Sequence, residues 1–125
     1  MAVKGVSYPH PSVRRDYTRL RTQVALSDGP LRWAVDTTIL LYRTGGENWL
    51  VAVEERLPSW DTVHHHVGDV VPTSTPDGEG WLAYGSAGCR IYGTKEEAAI
   101  ALARAYLQHV WERIARYRGS VLGSR

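Results

Sequence analysis

Residues 94–119 read TKEEAAIALARAYLQHVWERIARYRG, and no other stretch of the chain constrains the architecture so tightly. Thr94 is a good N-cap, and Glu97 three positions later completes the pattern of a capping box. Glu96 and Glu97 suit the positive end of a helix, while Arg113, Arg116 and Arg118 suit the negative end. Ile100, Ala103, Leu107, Val110, Trp111 and Ile114 recur at helical spacing as one apolar stripe, with Ala99, Tyr106 and Tyr117 beside it. Gly119 is a C-terminal stop. The spacing predicts a helix over 95–118, followed by a tail over 120–125. A helix with one apolar stripe takes most of its stability from a surface that the stripe can cover.

The residues before it supply that surface as strands. From Arg19 the chain alternates, with Leu20, Thr22, Val24 and Leu26 on one side and Arg19, Arg21, Gln23 and Ala25 on the other. Ser27-Asp28-Gly29-Pro30 is turn chemistry. In residues 31–43, Leu31, Trp33, Val35, Thr37, Ile39 and Leu41 share the expected core face. Leu40 and Tyr42 make the far end of the opposite face apolar, so that face is expected to touch something. Thr44-Gly45-Gly46-Glu47 is a hairpin signal, and residues 48–57 return with Trp49, Val51 and Val53 inward. Residues 58–80 hold Pro58, Pro72 and Pro76 and read as a long loop in which 62–67 form a short strand. Residues 81–84 and 89–92 read as a hairpin. The expected fold is α+β: an antiparallel β-sheet of about four to six strands packed against one long C-terminal amphipathic helix. Residues 1–18, with Pro9 and Pro11 around His10, form an extended basic N-terminal arm, and 19–119 form a single domain.

Composition narrows the functional classes. A chain of 125 residues, 43% hydrophobic and 22% charged, has the balance of an ordinary folded domain. Such a chain buries roughly two-thirds of its unfolded surface and needs neither a metal nor a disulfide to fold. Cys89 is the only cysteine, which removes any intramolecular disulfide. It falls in an expected strand beside Arg90, whose charge favours a thiolate, but no local signature matches a cysteine nucleophile and a small core residue is expected. No apolar run has signal-peptide or membrane-spanning length, so the expected setting is the cytoplasm, or a particle assembled from it, with no membrane. Thirteen Arg against two Lys, one Asn and no Phe suggest a GC-rich bacterium or one of its bacteriophages. Charge is segregated. Residues 1–32 carry six basic and two acidic side chains, 33–97 carry four and ten, and 98–125 carry five and one.

No motif specifies a reaction: G-x-S-x-G, H-E-x-x-H, P-loop and dinucleotide glycine patterns are missing from the sequence. Neither adjacent carboxylate pair, Glu54-Glu55 or Glu96-Glu97, has the placement of an acid/base couple, and no cofactor is expected. His64-His65-His66 is the candidate for metal. In an extended segment His64 and His66 share a side, and Asp61 could add an oxygen ligand. Nucleic acid is a second alternative, with Arg14, Arg15, Arg19 and Arg21 following a phosphate backbone. The leading reading is a non-enzymatic binding or assembly protein, contacting a protein partner or its own copies, as a bacteriophage accessory or structural component. Its candidate contact residues are Arg14, Arg15, Tyr17, Arg19 and Arg21, the outer-face pair Leu40 and Tyr42, and Trp60 in the long loop. Interfaces favour Tyr, Trp and Arg over Lys, as this chain does.

Overall fold

The alternation that starts near Arg19 becomes β1 (Tyr17–Asp28), which turns through Gly29 at φ 61° into β2 (Leu31–Arg43). A computed structural model describes residues 17–43, 46–85 and 88–123, with side chains described as far as residue 117. Arg14 and Arg15 lie outside the described residues. The chain continues through β3 (Trp49–Arg56), β4 (Thr62–Thr75), β5 (Gly78–Gly85) and β6 (Gly88–Tyr92) into α1 (Lys95–Gly123). Every strand pairs antiparallel with the next, giving a six-stranded sheet in the order β1-β2-β3-β4-β5-β6. The fold is α+β, a curled antiparallel sheet packed with one C-terminal helix.

The capping box forms as the sequence predicts. The Glu97 backbone N–H donates to Thr94 Oγ1 at 3.0 Å, and the Thr94 N–H donates to Glu97 Oε1 at 3.1 Å. One face of the sheet then buries the helix. Ile39, Leu41, Val51, Val53, Val67, Val70 and Ala83 pack with Ala98, Ala99, Leu102 and Ala103 in a single core. The helix seats through small residues and Leu102 rather than through the expected stripe centre. Ile100, Leu107 and Trp111 are only partly buried. Leu102 fits because Gly68 and Gly85 leave a pit: a Cβ on Gly68 would stand 2.9 Å from Leu102 Cδ2 and 2.6 Å from the Tyr84 carbonyl oxygen. Leu40, Tyr42 and Ala52 form a second buried cluster on the opposite face, with Leu50 packed against it.

Four expectations are corrected. Residues 58–80 are not a long loop, because β4 runs fourteen residues, to Thr75. A bulge opposite Val51 and Ala52 inserts Val67 as an extra residue, so inward positions pass from odd (Val63, His65) to even (Gly68, Val70). Pro72 lies beyond Val70, the last residue of β4 paired with β3, where one side of the strand is open to a residue without an N–H. Cys89 is exposed rather than in the core, because β6 is a short edge strand. Leu31 is exposed rather than facing the core. The helix continues past Gly119 to Gly123.

Candidate functional site

The strands end unevenly, and this unevenness builds the candidate site. β3 stops at Arg56, and the β2–β3 register places Asp36 opposite that position. β1 and β2 continue as a two-stranded ribbon to Asp28 and Leu31. Five residues of β2 therefore project beyond β3, roughly 17 Å at strand rise. α1 runs along this ribbon. The Gln108 amide bonds the backbone of Ser27, and the Trp111 ring meets Trp33 nearly edge-on at 5.1 Å and 71°. The β3–β4 turn lies at the same end of the sheet, closed by hydrogen bonds from Trp60 N–H to the Leu57 carbonyl and from Leu57 N–H to the Asp61 carbonyl.

Between the ribbon, the end of β3 with His65 of β4, and the helix lies a crevice of about 350 Å³. Val35, Val53, Leu107 and Val110 supply apolar walls, while the polar part comes from Glu55, His65 and Tyr106 together with Asp36, Thr37, Glu54 and Arg56. The His65 imidazole lies 2.7 Å from Glu55 Oε1 through Nε2 and stacks on the Tyr106 ring at 5.5 Å. Burial, and secondly the charge of Glu55, raise the Tyr106 phenol above its ordinary pKa.

Val110 also begins an exposed helix face with Arg113, Ile114 and Tyr117. These positions prolong the line of Ala99, Ala103 and Tyr106, which packs on the sheet, into a region where no strand lies beneath. Ile114 is 43% and Tyr117 71% exposed, and at this same end Leu31 is 64% and Trp60 77% exposed. Of the large apolar side chains exposed among the described residues, only Tyr17 and Ile91 lie elsewhere. Trp60 holds φ 71°, uncommon for a bulky residue, with the Arg56 guanidinium 5.5 Å from its ring centroid. Arg32, Arg56, Arg113 and Arg116 are exposed at this end of the molecule, and none forms an ion pair among the described residues. Clustered Trp, Tyr, Ile and Arg over a crevice is the composition of a contact surface.

The other residues singled out in the sequence lie apart from this end, except Asp61, which shares the β3–β4 turn with Trp60. Tyr17 packs its ring on Tyr42 at 5.6 Å, and Leu40 and Tyr42 are each 1% exposed. Arg19 pairs with Glu54 at 3.7 Å, and Arg21 lines a shallow polar groove with Gln23 and Asp36. His64 and His66 do share the outer face. His64 Nε2 lies 3.1 Å from Glu54, and His66 Nε2 lies 2.9 Å from Asp69. Asp61 instead accepts from Ser59 Oγ at 3.0 Å. Among the described residues no three His, Cys, Asp or Glu side chains come together as a possible metal site.

Trp60 is the one predicted contact residue at the open end. Leu31, Ile114, Tyr117 and the arginines around them are found only in the structure. One signal for them is present in the sequence: a helix of more than twenty residues spans over 30 Å, longer than an eight-residue strand can cover. Among the described residues no helix is long and apolar enough to cross a membrane. Compared with protein families, curated proteins and solved structures, the chain has no significant match.

Proposed function

We propose that this chain is a non-enzymatic binding or assembly protein that works through protein–protein contacts made at the open end of its sheet. A bacterial or bacteriophage assembly built in the cytoplasm is the setting its composition favours. One observation carries the reading: the core-facing stripe of α1 continues from the partly buried Val110 to Ile114 and Tyr117, which lie beyond the Trp33–Trp111 contact with the sheet and stay exposed. Contiguous exposed apolar surface ringed by polar groups marks interaction sites in soluble proteins. Trp60 in the β3–β4 turn and Leu31 at the ribbon tip are further exposed apolar side chains at the same end of the sheet.

The test is a comparison of wild type with the double variant Ile114→Gln, Tyr117→Gln, both substitutions keeping good helix formers. Affinity capture from the source organism is read by mass spectrometry, with thermal melting as the control on folding. The expected result is loss of specific partners with the melting temperature nearly unchanged. A variant that captures the same partners in the same amounts removes the reading.

A further inference from the structure

We infer that the partner at this surface is an acidic amphipathic helix, laid along the exposed face of α1 with an apolar side chain in the adjoining crevice. The inference rests on the proposed contact role of the open end and names what that surface takes. Val110, Arg113, Ile114 and Tyr117 stand at i, i+3, i+4 and i+7, so they present one continuous helical face. That face suits helix-in-groove recognition, in which a partner helix offers its own apolar positions at the same spacing. Val110 lines both the exposed face and the crevice, so an anchor side chain entering beside Leu107 stays continuous with contacts at Ile114 and Tyr117.

Charge selects the partner. Arg113 and Arg116 are exposed and form no ion pair among the described residues. The usual structural reason for arginine late in a helix is the negative end of the helix dipole, whose effect fades beyond the last turn. Because α1 runs to Gly123, Arg113 and Arg116 fall before its last turn, which contains no basic residue among those described. The one acidic side chain of this segment, Glu112, accepts from Gln108 Nε2 at 3.3 Å, on the side turned to the ribbon. An apolar strip bordered along one side by the uncommitted guanidinium groups of Arg113 and Arg116 is complementary to an apolar strip bordered by carboxylates. A second copy of this chain fits poorly, since a two-fold contact centred on this face sets Arg113 beside its own image.

The probes are two labelled synthetic helices with the same leucine spacing, one flanked by glutamates and the other by lysines, titrated with the full chain by fluorescence anisotropy. The glutamate helix is expected to bind at least tenfold tighter at low salt, with the ratio shrinking as salt rises. Arg113→Glu with Arg116→Glu is expected to reverse the preference, and Tyr117→Gln to weaken both helices. Equal affinity for the two helices overturns the inference, as does binding to neither. So does a concentration-dependent dimer lost in Ile114→Gln, or binding to anionic phospholipid vesicles that depends on Ile114 and Tyr117. If the helices show no charge preference while Ile114→Gln with Tyr117→Gln still loses captured partners, the acidic-helix inference falls and the contact surface stands. If both experiments fail, both readings fall.

Discussion

The Gln108 side-chain amide takes the place of a neighbouring strand beside Ser27. Its Nε2 donates to the Ser27 carbonyl at 2.7 Å, and its Oε1 accepts from the Ser27 N–H at 3.1 Å. β1 is one of the two edge strands of the sheet, and open backbone groups on an edge invite pairing with other chains. One side chain thus closes part of that edge and pins α1 to the projecting ribbon, which holds the crevice open between them.

Gln108→Ala is expected to lower unfolding stability by about 1–2 kcal/mol, since two part-buried hydrogen bonds are lost and each contributes about 1 kcal/mol. Gln108→Glu is expected to do no better, because a carboxylate cannot donate to the Ser27 carbonyl. Urea unfolding midpoints of the two variants check this. Wild-type stability in either one discards the clamp.

The pit under Leu102 predicts an unusual pattern of rescue. Gly68→Ala sets a Cβ 2.6 Å from the Tyr84 carbonyl oxygen, a backbone atom that can move only with β5. The expected cost is about 2–3 kcal/mol, the upper range for overpacking. Trimming the helix side with Leu102→Ala should not restore stability, because the backbone clash remains. Thermal melting of the single and double variants decides between this and a simple side-chain collision, in which the double variant would recover.

The helix, its cap and five of the six strands were legible because each obeys one period from end to end. β4 was not. Its bulge at Val67 changes the parity of inward residues, and Pro72 and Pro76 read as breakers although one lies on an open strand side and the other in the β4–β5 turn. The inner surface was legible in part, through Ile39, Leu41, Val51 and Val53. Leu102 escaped notice because two glycines in distant strands, and not its own periodicity, make room for it. The open end was hidden for a related reason. Whether Ile114 and Leu31 are covered depends on where β3 stops, and that follows from pairing register rather than from the residues themselves.

Tyr106 gives the crevice a signature in alkaline solution. Its folded-state pKa is raised above the ordinary value of 10.0, by burial first and by Glu55 second. A raised value means that the neutral phenol is favoured in the folded chain. The stabilisation is therefore complete below the unfolded pKa near 10 and is lost as pH rises through the folded one. Denaturant midpoints should fall more steeply above that pH in wild type than in Tyr106→Phe, and Glu55→Gln should lessen the fall. Parallel curves for wild type and Tyr106→Phe would remove Tyr106 from the crevice as a titrating group.

Trp60 separates contact from stability most sharply. It holds φ 71° at the tip of the β3–β4 turn with 77% of its surface exposed. That backbone conformation costs a residue with a Cβ about 1–2 kcal/mol, whereas glycine adopts it freely. Against this the ring gains only an exposed cation–π contact with Arg56, about 0.5–1 kcal/mol. Glycine in turn adds freedom to the unfolded chain, about 0.5–1 kcal/mol. These terms nearly cancel, so Trp60→Gly should change unfolding stability by less than about 1 kcal/mol. A tryptophan that is so little needed for the fold, yet held in a strained conformation at the open end, fits the proposed contact role. Trp60→Gly should therefore weaken partner capture by about tenfold, as loss of an interface tryptophan does, at an unchanged melting temperature. The reverse outcome, a lower melting point with capture intact, would make Trp60 a structural residue of the turn and move the contact surface wholly onto α1 and the ribbon.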